Sequence, residues 1–145
     1  MQKEPFVIER IYTASASRIW EALTVREQMK QWYFDLAAFK PEPGFEFTFN
    51  AEKEGFTYVH LCKIKEVIPG KKLSFSWRYE GFPGDSLVTF ELYPEGDKGD
   101  KTRLKLTHEG LETFGDHPAF ARENFAAGWG YIIGQSLPEY LAKSK

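Results

Sequence analysis

The feature that most narrows the fold is a succession of period-two apolar segments between residues 45 and 108. Phe45, Phe47 and Phe49 alternate with Glu46, Thr48 and Asn50, and Tyr58, His60, Cys62 and Ile64 share one parity within Phe56 to Ile68. Leu73, Phe75, Trp77 and Tyr79 alternate with Lys72, Ser74, Ser76 and Arg78; Val88, Phe90 and Leu92 follow, then Leu104, Leu106 and His108. Successive side chains of an extended chain point to opposite faces, so each segment makes a strand with one apolar side. Pro69-Gly70, the Gly81-Phe82-Pro83-Gly84 stretch and the polar tip from Pro94 to Lys101 turn the chain between segments. Strands in sequence joined by turns imply an antiparallel meander with one face to cover.

The flanking segments supply the cover. Phe6 to Tyr12 reads as another strand, although neither of its faces is cleanly polar. Ser15 and Ser17 offer an N-cap, and Ile19, Trp20 and Leu23 follow at helical spacing. Val25, Met29 and Trp32 recur at i, i+4 and i+7 and predict a second short helix, giving a bent helical corner. His117-Pro118 opens a C-terminal helix in which Phe125, Trp129, Ile132, Ile133, Ser136, Tyr140 and Leu141 fall on one stripe. Gly128 and Gly130 flank Trp129 at a propensity cost of about 1 kcal/mol each. The expected compensation is close approach of the helix to the sheet, although a sheet curving around a helix is also expected to leave space beside it, above all where the helix is glycine-rich. Pro138 crowds the carbonyl of Gly134, so a bend is expected there. The fold class is α+β: a curved antiparallel sheet of about six strands around a long C-terminal helix, with two short helices after the first strand. That order is the helix-grip arrangement, read as a single domain over residues 1–145.

Charge and composition exclude other classes. The net charge is −2 and no basic field is visible, which argues against nucleic acid and anionic membrane surfaces as partners. The single cysteine, Cys62, cannot form an intrachain disulfide. Met1 to Pro5 is polar and leads into a strand, and no apolar run approaches a bilayer's thickness, so neither a signal peptide nor membrane insertion is expected, and the expected location is cytoplasmic. Aromatic residues reach 17%, which either fills a core or lines a cavity for an apolar guest.

Candidate chemistry is sparse. His60 and Cys62 lie two apart on one strand face and could share a metal, but no further His or Cys has ligand spacing, so no metal and no cofactor are expected. His108 ends the last strand, either hydrogen-bonded to a neighbouring backbone group, as an anchor at a cavity mouth, or as a proton carrier. The serines show no nucleophile elbow, and the helix glycines form no phosphate loop. Apolar residues in the loop from Tyr33 to Phe39 either pack as a local core or form a lid.

Taken in order, Arg18-Ile19-Trp20-Glu21-Ala22-Leu23-Thr24, Gln31-Trp32-Tyr33, Lys63 to Pro69, Leu73-Ser74-Phe75-Ser76-Trp77, Thr107-His108-Glu109-Gly110-Leu111 and Gly128-Trp129 with Leu137 and Tyr140-Leu141 resemble the START-like (SRPBCC) superfamily. The branch they are most similar to is the C-terminal domain of activators of the heat-shock-protein-ninety ATPase (Aha-type), over about Phe6 to Leu141. The resemblance implies a helix-grip fold with a hydrophobic cavity between sheet and helix, and binding of lipid-like, polyketide-like or other aromatic small molecules. Eukaryotic relatives that stimulate the chaperone carry an additional N-terminal domain, to which nothing in this sequence corresponds. The expectation is a monomeric, non-enzymatic protein whose partner is a hydrophobic small molecule. The expected pocket is formed by Phe47, Phe49, Tyr58, His60, Phe75, Trp77, Phe90 and His108 on the sheet and Trp129 and Ile133 on the helix, with Trp32 and Phe34 beside them. The alternatives are an aromatase/cyclase-type enzyme using the same cavity and a chaperone ATPase-activating partner.

Overall fold

The computed structural model describes residues 5–33, 39–53, 55–96, 100–115, 120 and 122–143. Strand β1 (Phe6–Tyr12) leads to helices α1 (Ala16–Thr24) and α2 (Arg26–Trp32), followed by β2 (Glu46–Lys53), β3 (Phe56–Ile68), β4 (Lys72–Tyr79), β5 (Ser86–Glu95) and β6 (Lys101–Glu109). A short 3-10 turn (Leu111–Phe114) precedes the C-terminal helix, which runs as α3 (Arg122–Tyr131), a π segment (Ile132–Ser136) and α4 (Leu137–Lys143). The strand order is β1-β6-β5-β4-β3-β2, antiparallel at every pair, so the meander is closed on one side by the first strand.

The alternation places Phe47, Phe49, Cys62, Ile64, Leu73, Phe75, Val88, Phe90, Leu104 and Leu106 on one buried face. Against it lie Phe125, Trp129, Ile133 and Leu137, each four residues from the last, which is the inward stripe of the C-terminal helix. The periodicity in β3 is interrupted by a bulge between Ile64 and Glu66, after which Val67, of opposite parity, turns inward and is half-buried. In β1 the sequence leaves the orientation undecided. The structure turns Phe6, Ile8 and Tyr12 inward and leaves Val7 and Ile11 exposed on the outside of an edge strand.

The helical corner forms as its sequence dictates. Ser15 caps α1 by accepting the Arg18 amide at 3.2 Å, and Val25, in extended conformation, separates the two helices. The Trp32 indole donates to the Ala22 carbonyl at 2.9 Å, which fixes the angle of the corner. Ser136 in turn donates to the Trp32 carbonyl at 2.6 Å, and the Tyr12 hydroxyl donates to the Ile133 carbonyl at 2.5 Å. Corner, first strand and C-terminal helix are therefore joined by side-chain donors to main-chain acceptors, bonds that loosen if any one element shifts.

Between Gly134 and Pro138, where a bend is expected, the helix contains a widened turn. The Leu137 amide donates to the Ile132 carbonyl, five residues back, just before the proline that has no amide to give. The helix opening expected at His117-Pro118 falls outside the described residues; the described helix begins at Arg122. No helix among the described residues is long and apolar enough to cross a membrane.

Candidate ligand cavity

A cavity of about 280 Å³ lies between the β2–β4 side of the sheet and α3. Its sheet wall is Ala51, Glu52, Tyr58, His60, Trp77 and Tyr79; the opposite wall is Phe120, Asn124, Phe125, Gly128, Trp129 and Ile132. The volume falls at the lower end of the range for small-molecule pockets, and the walls are mostly aromatic, as such pockets require. Exposed Glu52 stands at the rim.

Gly128 belongs to the helix wall of this cavity. The close approach expected of the helix glycines is not what the structure contains: a Cβ at Gly128 or Gly130 would meet no heavy atom of a neighbouring element within 4 Å. Gly128 lines the cavity and brings no side chain to that wall.

Aromatic rings fix the shape of the wall. Phe120 stacks on Tyr79 with centroids 4.2 Å apart, and His60 lies edge-on to the Tyr79 ring at 4.7 Å. Phe49 stacks on His60 at 4.3 Å from behind, while Trp77 and Trp129 meet across the floor at 5.4 Å. The Trp77 indole donates to the Tyr79 hydroxyl at 2.9 Å. Tyr33, at the end of α2, stacks against Trp129 with centroids 6.2 Å apart.

The two described histidines differ in what they can do. His60 Nδ1 lies 3.1 Å from the Tyr58 carbonyl, which can only accept, so that nitrogen carries the proton. Burial lowers the His60 pKa to about 4, so the ring is neutral at pH 7. His108 is fully buried behind the floor, and burial lowers its pKa to about 3. The Trp129 indole donates to His108 Nδ1 at 3.0 Å, so Nε2 holds the proton and donates to Ser86 Oγ at 2.8 Å. Ser86 passes its own proton to the Trp77 carbonyl at 2.7 Å. Every member of this chain is satisfied, and it ties α3 to β4, β5 and β6.

Of the residues expected from sequence at the pocket, Tyr58, His60, Trp77 and Trp129 line the cavity. Phe47, Phe49, Phe75, Phe90, Ile133 and Trp32 are instead buried within the packed core, and His108 is one layer behind Trp129. The cavity is thus smaller than the expected pocket and displaced toward the start of α3, because the central aromatics interdigitate: Phe47 and Phe75 meet edge to face at 5.2 Å and Phe90 reaches Trp129 at 6.1 Å. Phe34 and the middle of the loop proposed as a lid lie outside the described residues. Sequence reasoning missed Tyr79, Gly128 and Phe120. Tyr79 shares the parity of Trp77 and was legible as an inward residue; Phe120 carries no periodic signal. The His60–Cys62 pair gathers no third ligand, since no group of three His, Cys, Asp or Glu side chains converges among the described residues.

A six-stranded antiparallel sheet gripping a C-terminal helix, with short helices after the first strand and a cavity between sheet and helix, defines a helix-grip protein. More narrowly, the family model described as "Activator of Hsp90 ATPase homolog 1-like protein" matches residues 13–142, and the chain belongs to that family. Among solved structures it is similar to protein MLL2253 from Mesorhizobium loti, at 27% identity over 98% of this chain and 99% of that one, with a TM-score of 0.77. Protein Mll3558 from Rhizobium loti matches at 25% identity over 94% and 96% of the two chains, TM-score 0.76. CalU16 from Micromonospora echinospora matches at 25% identity over 94% of this chain and 74% of its own, TM-score 0.70. No match is found among curated proteins.

Proposed function

We propose that this protein binds an apolar small molecule, lipid-like or aromatic, in the cavity between the sheet and α3. The observation that carries the reading is the unfilled volume of about 280 Å³ beside Gly128, walled by aromatic side chains and backed by a fully bonded polar layer. Burial of a guest's apolar surface would supply affinity at roughly 25 cal/mol per Å² before ordering costs. Tyr58, His60, Trp77 and Trp129 are the sequence-proposed residues that would touch it. Binding without chemistry is the reading that suits the polar groups best. His108, weighed as an acid–base candidate, spends both ring nitrogens on Trp129 and Ser86, and His60 is held neutral with one nitrogen on a carbonyl.

The test is titration with flat aromatic and fatty-acyl compounds followed by amide chemical shifts. Saturable shifts clustered on β3, β4 and α3 are the expected result. Shifts scattered over the surface, or none with any compound, would remove the reading.

A further inference from the structure

Within that cavity the Tyr79 hydroxyl still has a proton to donate. Tyr79 is 5% exposed and lines the cavity. Its hydroxyl oxygen accepts the Trp77 indole N–H at 2.9 Å, and its own proton goes to no acceptor among the described residues. The oxygen is satisfied by that bond, and the proton is what the group has left to give. An N–H donated to a hydroxyl oxygen also polarises the O–H bond and strengthens it as a donor. The rings of Phe120 and His60 hold the phenol from two sides, so the position of its oxygen is fixed.

Charge at the cavity is equally one-sided. Among the described residues no Lys or Arg lines it, and Glu52 is the one charged residue in the lining. Bringing a carboxylate into such a site means desolvating an anion with no cation to meet it.

We infer that Tyr79 is the specificity-determining donor of this cavity, and that its guests are uncharged flat aromatic compounds carrying a hydrogen-bond acceptor such as a ketone oxygen, with carboxylates excluded. The inference rests on the ligand-binding reading above and narrows it to one chemical class. Burial raises the Tyr79 pKa, so the phenol keeps its proton at any physiological pH.

Three naphthalenes of similar size separate the possibilities: 2-acetonaphthone (neutral, with an acceptor), 2-ethylnaphthalene (neutral, without one) and 2-naphthoate (anionic). Each is titrated by calorimetry or amide shifts into the wild-type protein and into Tyr79→Phe, which keeps the ring. In the wild type the ketone should bind about tenfold more tightly than the hydrocarbon, the worth of one good hydrogen bond. The naphthoate should bind no better than the hydrocarbon. In Tyr79→Phe the ketone should fall to the level of the hydrocarbon, whose own affinity is unchanged. Equal binding of ketone and hydrocarbon by the wild type, or naphthoate as the strongest ligand, overturns the inference while leaving a binding cavity in place. Binding of none of the three overturns the inference, and if fatty-acyl compounds fail to bind as well, the ligand-binding reading falls with it. The wild-type comparison stands alone if Tyr79→Phe folds poorly; if it folds and the ketone keeps its advantage, the donor is not Tyr79.

Discussion

Filling the cavity from the helix side is the sharpest perturbation the structure offers. Gly128 is exposed, lies inside α3, and a Cβ there would meet no heavy atom of a neighbouring element within 4 Å. Gly128→Ala should therefore stabilise the protein by about 1 kcal/mol, the difference in helix propensity, with no clash to subtract. Gly128→Leu keeps most of that gain and places a branched apolar side chain against the cavity wall. Partial burial of the leucine adds about 1 kcal/mol, for about 2 kcal/mol in all. For a chain of 145 residues this corresponds to a rise in melting temperature of about 6 °C. The same side chain occupies the space proposed for the guest, so affinity for a neutral aromatic probe should drop at least tenfold. Thermal denaturation and probe titration on the two variants read both effects. A Gly128→Leu protein that binds the probe as well as wild type would refute the assignment of the cavity. A Gly128→Ala protein that melts lower would refute the claim that the space beside the helix is open.

Three further outcomes follow from the buried layer and the turns. His60 and His108 have pKa values of about 4 and about 3 in the fold against about 6.5 when unfolded, so the unfolded chain takes up protons first as pH falls. Stability should be constant above pH 7 and drop by about 4 kcal/mol between pH 7.5 and pH 5; urea unfolding that shifts by less than about 1 kcal/mol over that range would contradict the burial of both rings. Trp129→Phe removes the donor to His108 Nδ1 and should cost about 1–3 kcal/mol, and a double-mutant cycle with His108→Phe should show coupling of about 1 kcal/mol, whereas additive effects would mean the bond contributes nothing. Gly84→Ala should cost about 3 kcal/mol or more by chemical denaturation, because φ is +105° and a Cβ would sit 2.5 Å from Phe114 Cδ1; Gly81→Ala, at φ +82° with open space around it, is the control and should cost about 1 kcal/mol.

The sheet was readable residue by residue because its inner face is apolar and its turns carry Gly and Pro. Leu73, Phe75, Trp77 and Tyr79 had no other periodic interpretation, and all four are buried. β1 resisted orientation for a physical reason: Val7 and Ile11 are apolar yet lie on the outer side of an edge strand, so parity carries no label. The bulge between Ile64 and Glu66 was silent, since one extra residue in a strand changes which parity faces inward without changing composition. Pro138 announced a disturbance, but a widened turn and a kink answer a missing amide equally well. For the cavity, sequence located the right pair of elements and left two uses of the glycines open, of which close approach is not the one found. A glycine beside a tryptophan signals either contact or vacancy, and only the separation of helix from sheet distinguishes them. The central phenylalanines were placed at the pocket because inward direction is visible in a sequence, whereas depth along the sheet is not.

The bond from Trp129 to His108 has a consequence for how a guest would be received. One face of that indole forms part of the cavity floor, and its nitrogen is already committed to a ring anchored through Ser86 to the neighbouring strands. The entropy of immobilising this large side chain is lost once, as the chain folds, and no visitor has to supply it again. Any guest would therefore meet the same pre-set floor, whatever its shape.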